Sequence, residues 1–125
     1  MGGGGLKPRP PGMTESRTLV RVTDDTFEEE VIRSPLPVLV DFYADWCAPC
    51  RAAEPVLLEL SEYLAGRVKV AMVNVDESDA VTRSYGIHSI PTYLFVDRGR
   101  ERGRELGITG STEFHSILKR YFDFL

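Results

Sequence analysis

A chain of 125 residues, 42% hydrophobic and 27% charged, has room for one ordinary domain with its own core. Its formal net charge of −4 argues against nucleic acid or an anionic membrane surface as the main partner. No apolar run approaches the roughly 18 residues that a bilayer span needs, and residues 1–11 carry basic side chains without the apolar stretch of a secretory signal.

Residues 1–12 (MGGGGLKPRPPG) are rich in Gly and Pro, with Leu6 the only large apolar residue after Met1. Such a segment cannot bury enough surface to offset the entropy of ordering it. Residues 1–17 are therefore expected to form a disordered leader and residues 18–125 the domain. Met13 is an alternative start, because the patterned sequence begins just after it.

From there the hydrophobic period alternates. Leu19–Val22 reads as a short strand, and residues 24–32 as a helix whose acidic first turn suits the helix dipole. Val38–Tyr43 (VLVDFY) is a nearly continuous apolar run with one carboxylate inside, which marks a strand buried on both faces. Ala53, Val56, Leu57, Leu60 and Leu64 then form one helical stripe, which Pro55 interrupts and should kink. Residues 68–75 (VKVAMVNV) form a further buried strand. Residues 78–85 read as a short helix with Ser78 as N-cap and Gly86 as its stop.

Strands at 92–96 and 102–106, joined around Gly99, leave no room for a helix and must pair as an antiparallel hairpin. Phe114, Ile117, Leu118, Tyr121, Phe122 and Leu125 keep helical spacing, with Ser111 or Thr112 as cap and His115 at a solvent-facing phase. The order β-α-β-α-β-α-β-β-α predicts an α/β fold. Its central mixed sheet is parallel at first, ends in an antiparallel C-terminal hairpin and carries helices on both faces.

Cys47 and Cys50 are the only cysteines. A bridge between them would close so small a loop that it removes only about 2 kcal/mol of unfolded-chain entropy, so stability is a poor reason for the pair. They lie in DWCAPCR (residues 45–51), after a buried strand and at the start of a helix. Unpaired N–H groups and the positive end of the helix dipole favour a thiolate there. The i, i+3 spacing lets one sulfur attack a disulfide and the other resolve the mixed disulfide. Pro49, in the first helical turn, has no N–H to lose and limits how the loop flexes. The alternatives are two inert thiols or half of a zinc site. The second has only His88 and His115 to complete the usual four ligands.

VDFYADWCAPC, followed by a buried strand and SIPT (residues 89–92), resembles the thioredoxin family, and the resemblance covers residues 19–125. The family usually has Gly at the place of Ala48, a departure also seen within it. The resemblance implies a thioredoxin fold and a reductase of protein disulfides, with Cys47 the exposed nucleophile and Cys50 the more buried resolving thiol. It implies that Asp41, buried below the pair, exchanges a proton with Cys50; a carboxylate in an apolar strand is costly and its pKa should be raised. Many relatives place a Lys on the neighbouring strand where this chain has Met72, so Asp41 should titrate higher still.

The resemblance also implies a cis Ile90–Pro91 bond facing the cysteines, with substrate held along Trp46, Ala48, Pro49, Ile90, Pro91 and Gly107. Trp46 would offer an exposed apolar contact, while Tyr43, where a second Trp often stands, packs. Gly107 would let a substrate backbone approach, or serve only as a turn. His88 reads as an exposed loop residue. Arg98, Arg100, Arg102 and Arg104 alternate with Asp97, Glu101 and Glu105 and read as a solvated turn.

No bound cofactor and no metal is expected, since nothing resembles a dinucleotide-binding motif. Re-reduction then falls to an external reductase-type protein. The chain is expected to be a cytoplasmic monomer acting on disulfide-containing proteins. An oxidase or isomerase is a poorer reading, because Ala48–Pro49 lacks the His common between the cysteines of those relatives. A redox-independent adaptor is the alternative from another class.

Overall fold

The computed structural model describes residues 19–125, so the expected leader at 1–17 lies outside the described residues. Five strands, β1 (Leu19–Val22), β2 (Val38–Tyr43), β3 (Lys69–Asn74), β4 (Thr92–Asp97) and β5 (Arg100–Leu106), form one sheet in the order β1-β3-β2-β4-β5. β3 pairs in parallel with β1 and β2, whereas β4 runs antiparallel to both β2 and β5. The mixed sheet with a C-terminal antiparallel hairpin is the expected one.

Because successive strand residues point to opposite faces, β2 serves two cores. Leu39 and Tyr43 pack with helices α1 (Ala48–Tyr63) and α3 (Ser111–Tyr121), through Ala53, Leu57, Leu60, Phe114 and Leu118. Val38, Val40 and Phe42 face Phe27, Val31 and Val81 on the other side, where α2 (Asp79–Ser84) lies. By the same alternation Asp41 points to the α1 face.

Several boundaries differ from expectation for physical reasons. The first helix shrinks to a π-helical turn at Glu28–Ile32, closed by an Arg33 N–H to Glu28 carbonyl bond of 2.9 Å. Asp24, read as part of its acidic first turn, instead reaches across the fold. Its carboxylate accepts the N–H groups of Ala80 (3.2 Å) and Val81 (2.9 Å). Those are the orphan donors that an N-cap residue would normally satisfy. Ser78 occupies the cap position but makes no side-chain cap bond, and its hydroxyl is buried without a partner among the described residues. Asp24→Ala is therefore expected to lower stability by about 1 kcal/mol in urea unfolding, whereas Ser78→Ala leaves it unchanged or raised.

The hairpin turn is tighter than expected. Arg98 (φ 54°) and Gly99 (φ 78°) both adopt left-handed backbone, as a two-residue turn between right-twisted strands requires. β5 thus begins at Arg100 rather than 102, and a bulge beside Phe95 and Val96 absorbs the extra residue. Gly110, rather than Ser111 or Thr112, occupies the N-cap of α3, with no side-chain cap bond. That helix ends at Tyr121 instead of reaching Leu125, although Phe122 stays buried. His115 is half-buried, not solvent-facing, and meets the Tyr63 ring edge-on at 5.3 Å.

Candidate active site

α1 begins directly beyond the carboxyl end of β2, and the dithiol lies at that junction. Cys47 is the N-cap, with extended backbone (φ −90°, ψ 110°), and its carbonyl accepts the first ladder bond from Arg51 N–H at 3.1 Å. Pro49 sits within the first turn, where the missing N–H costs nothing. Cys47 and Cys50 are joined by a disulfide, with Cα atoms 5.2 Å apart. The backbone N–H of Cys50 points at Cys47 Sγ, 3.2 Å away. That donor and the helix N-terminus both favour negative charge on Cys47 once the bridge is opened. The expected contrast in exposure is slight in this oxidised form: Cys47 is 5% exposed and Cys50 3%.

The loop before β4 meets the same spot. The Ile90–Pro91 bond is cis, and the Ile90 carbonyl oxygen lies 3.9 Å from Cys47 Sγ. Thr92 braces this turn by donating its hydroxyl to the Ser89 carbonyl at 2.6 Å. The Pro91 carbonyl accepts the Gly107 N–H at 3.0 Å, which draws the end of β5 alongside. Gly107 has φ +73° with nothing near the place a Cβ would occupy, so backbone conformation and not crowding calls for glycine there. Tyr93 donates its hydroxyl to the Ile108 carbonyl at 2.7 Å and fixes the following residue.

Around the pair, Ala48 and Pro49 are exposed, Ile90 is half-buried and Pro91 is buried. Trp46 is 68% exposed, yet held: its indole N–H donates to Asp76 Oδ2 at 2.9 Å, and Asp76 N–H is in turn held by Asn74 Oδ1 at 2.9 Å. Sequence reading missed Asp76, since no local signal ties a carboxylate after β3 to an indole 30 residues earlier. Tyr43 packs as expected, its hydroxyl accepting from Arg21 at 2.6 Å. His88 is exposed on its loop.

Asp41 of β2 is fully buried, between Met72 of β3 and Tyr93 of β4 in register. Neither carboxylate oxygen has a hydrogen-bond partner among the described residues. Burial, with a smaller push from the Glu54 charge, raises its pKa from 3.8 to about 8. No cation among the causes offsets these, and the β3 neighbour in register is the uncharged Met72. Glu54 is the other residue that sequence reading did not single out.

The described residues include no group of three or more His, Cys, Asp and Glu placed to hold a metal. Among them no helix is long and apolar enough to cross a membrane. The arrangement suits two-step thiol–disulfide exchange: a sulfur at a helix N-terminus, a second sulfur three residues on, and a buried carboxyl on the strand that leads into the helix.

Comparison with known proteins agrees. The family model described as Thioredoxin matches residues 18–120. The chain is 47% identical over 87 residues to a thioredoxin of Rickettsia bellii (strain RML369-C), covering 70% of this chain and 83% of that one. It is 53% identical over 79 residues to a thioredoxin of Thiocapsa roseopersicina, 63% of this chain and 87% of that one. A thioredoxin of Allochromatium vinosum is 43% identical over 103 residues, 82% of this chain and 96% of that one.

Proposed function

Since the chain belongs to the thioredoxin family, and so is a thiol–disulfide oxidoreductase with protein disulfides as substrates, we propose that Cys47 and Cys50 carry its reaction. The observation that supports this most is the Cys47–Cys50 disulfide at the N-terminus of α1, with the Cys50 N–H directed at Cys47 Sγ. In the reduced form Cys47 is the thiolate and attacks one sulfur of a substrate disulfide. A mixed disulfide forms and the other substrate sulfur leaves as a thiolate. Cys50 gives its proton to Asp41, attacks Cys47 Sγ and displaces the second substrate thiolate. The chain is left oxidised and the substrate has gained two electrons and, from solvent, two protons.

Substrate chain lies along Trp46, Ala48, Pro49, Ile90, Pro91 and Gly107. The contact between Ile90 and Cys47, the Gly107–Pro91 bond and the exposed Trp46 ring support that reading. The cycle closes when an external reductase protein supplies two electrons to the disulfide, as no bound cofactor is needed for exchange. We place the protein, as a monomer, in the reducing cytoplasm, which suits a reductant with Ala48–Pro49 between its cysteines.

The test is insulin reduction by dithiothreitol, with and without the protein. Wild type accelerates insulin disulfide cleavage, and Cys47→Ser falls to the uncatalysed rate. Acceleration that persists in Cys47→Ser removes Cys47 from the nucleophile's role. If neither protein accelerates the reaction, general reduction of protein disulfides is excluded as the activity.

A further inference from the structure

Asp41 has no way of its own to reach solvent. It is fully buried, both its oxygens are unpartnered among the described residues, and its β3 neighbour in register is the thioether of Met72. Tyr93, its β4 neighbour, is equally buried and its hydroxyl is already committed to the Ile108 carbonyl. A base that takes the Cys50 proton must nevertheless return to its starting state once per cycle.

The remaining side is α1. Beyond Cys50, its titratable residues Arg51, Glu59, Glu62 and Tyr63 are exposed, while Glu54 is half-buried. Glu54 stands four residues after Cys50 and so on the same helix face. Helical side chains lean toward the N-terminus, which carries its carboxylate back toward Cys50. Its carboxylate makes no hydrogen bond or ion pair with the described residues, and its charge is the one that acts on Asp41. Half-buried Glu54 is thus coupled by charge to the buried carboxyl while part of it stays open to water.

We propose that Glu54 is the carboxylate through which Asp41 exchanges its proton with solvent. This rests on the dithiol reading above, and Glu54 is a positioning residue that touches no substrate. In the reductive direction the Cys50 proton passes to Asp41, Cys50 Sγ bonds to Cys47 Sγ as the bond to substrate breaks, and Asp41 hands the proton to Glu54 and on to water. During re-reduction Cys50 leaves as a thiolate and the proton returns by the same path.

The titratable groups that interact by charge with Asp41 are Glu54 from α1, Tyr43 from β2 and Tyr93 from β4, beside the non-titrating Met72 from β3, and α1 contributes Cys50 to the same face of the sheet. Burial first of all holds both tyrosines above their ordinary range, so neither competes as a carrier near neutral pH.

Glu54→Gln tests this, with Glu54→Asp as the conservative variant. In the reduced protein, the isotope-labelled Asp41 carboxyl carbon, followed by NMR, titrates at lower pH in Glu54→Gln than in wild type, because a neighbouring negative charge is gone. Insulin reduction by Glu54→Gln in dilute buffer at neutral pH falls roughly tenfold and recovers on adding imidazole, a small base able to carry the proton instead. Wild type and Glu54→Asp are insensitive to imidazole. An Asp41 titration identical in wild type and Glu54→Gln, or an unchanged Glu54→Gln rate in dilute buffer, overturns the proposal. The NMR titration needs no activity, so it still decides whether the carboxylates interact if wild type fails on insulin and the dithiol reading falls.

Discussion

Cys50→Ser is expected to lose turnover by on the order of a thousandfold while keeping the first chemical step, so that it accumulates covalently bound to substrate. Attack by Cys47 needs its own thiolate, the helix N-terminus and the N–H of residue 50 aimed at Cys47 Sγ. All three survive the change to serine. Resolution needs a sulfur nucleophile three residues on, and a hydroxyl does not displace a thiolate from a disulfide at neutral pH. Incubating the reduced variant with a disulfide-cyclised peptide and weighing the product without reductant checks this. A mass equal to protein plus peptide is the expected result, and Cys47→Ser shows none. Sustained turnover by Cys50→Ser would mean that the two cysteines are not a working pair.

Asp41→Ala is expected to shift stability and activity in opposite directions. The folded protein holds the Asp41 proton up to a pKa of about 8, whereas the group starts from 3.8 when freely solvated. Below the lower value both states are protonated and the fold has its full stability. Between the two values only the unfolded chain ionises, so stability falls as pH rises, and it levels off above the folded pKa. At about 1.4 kcal/mol per pH unit the loss has an upper bound of roughly 5–6 kcal/mol.

Alanine removes that loss but leaves a small cavity whose cost does not depend on pH, so the expected result is a net gain on the order of 3 kcal/mol at pH 8 and a net loss of about 2 kcal/mol near pH 4. Urea unfolding of wild type and variant at the two pH values reads the difference directly. Equal differences at both would show that Asp41 is not a buried, proton-binding group. Catalytic loss is moderate by comparison. With its pKa near 8, only about a tenth of Asp41 is ionised at pH 7, so removing the base costs roughly tenfold rather than the full range open to general-base catalysis.

Local pattern carried much of this molecule. VLVDFY reads as a doubly buried strand because nearly every position is apolar, and the stripe from Ala53 to Leu64 as a helix because its spacing follows the helical period. The dithiol was legible for the same reason: strand, turn, Cys47, Pro49, Cys50 and helix are contiguous, and their chemistry depends on neighbours along the chain. Even the strain of Asp41 was visible, as a carboxylate inside an apolar run.

The failures share a cause. Residues 24–32 look helical by composition, but Asp24 gains more by satisfying the orphan N–H groups of Ala80 and Val81, 56 and 57 residues away, than by supporting its own turn. Ser78, an ideal cap by type, is displaced by that distant carboxylate. Trp46 was expected to stand exposed and does, but its orientation is set by Asp76 across the β3 loop.

Sequence by itself thus determined the order of the elements, the position of the cysteine pair at a helix start and the burial of Asp41, because each follows from periodicity or from residues adjacent in the chain. Tertiary structure decided which polar group answers which: Asp24 for the N–H groups of α2 and Asp76 for Trp46, and it set Ile90 against Cys47 while leaving Asp41 without a partner among the described residues. A buried or half-buried polar atom takes whatever partner packing brings within reach, and that choice is made by sheet register and helix docking rather than by spacing along the chain.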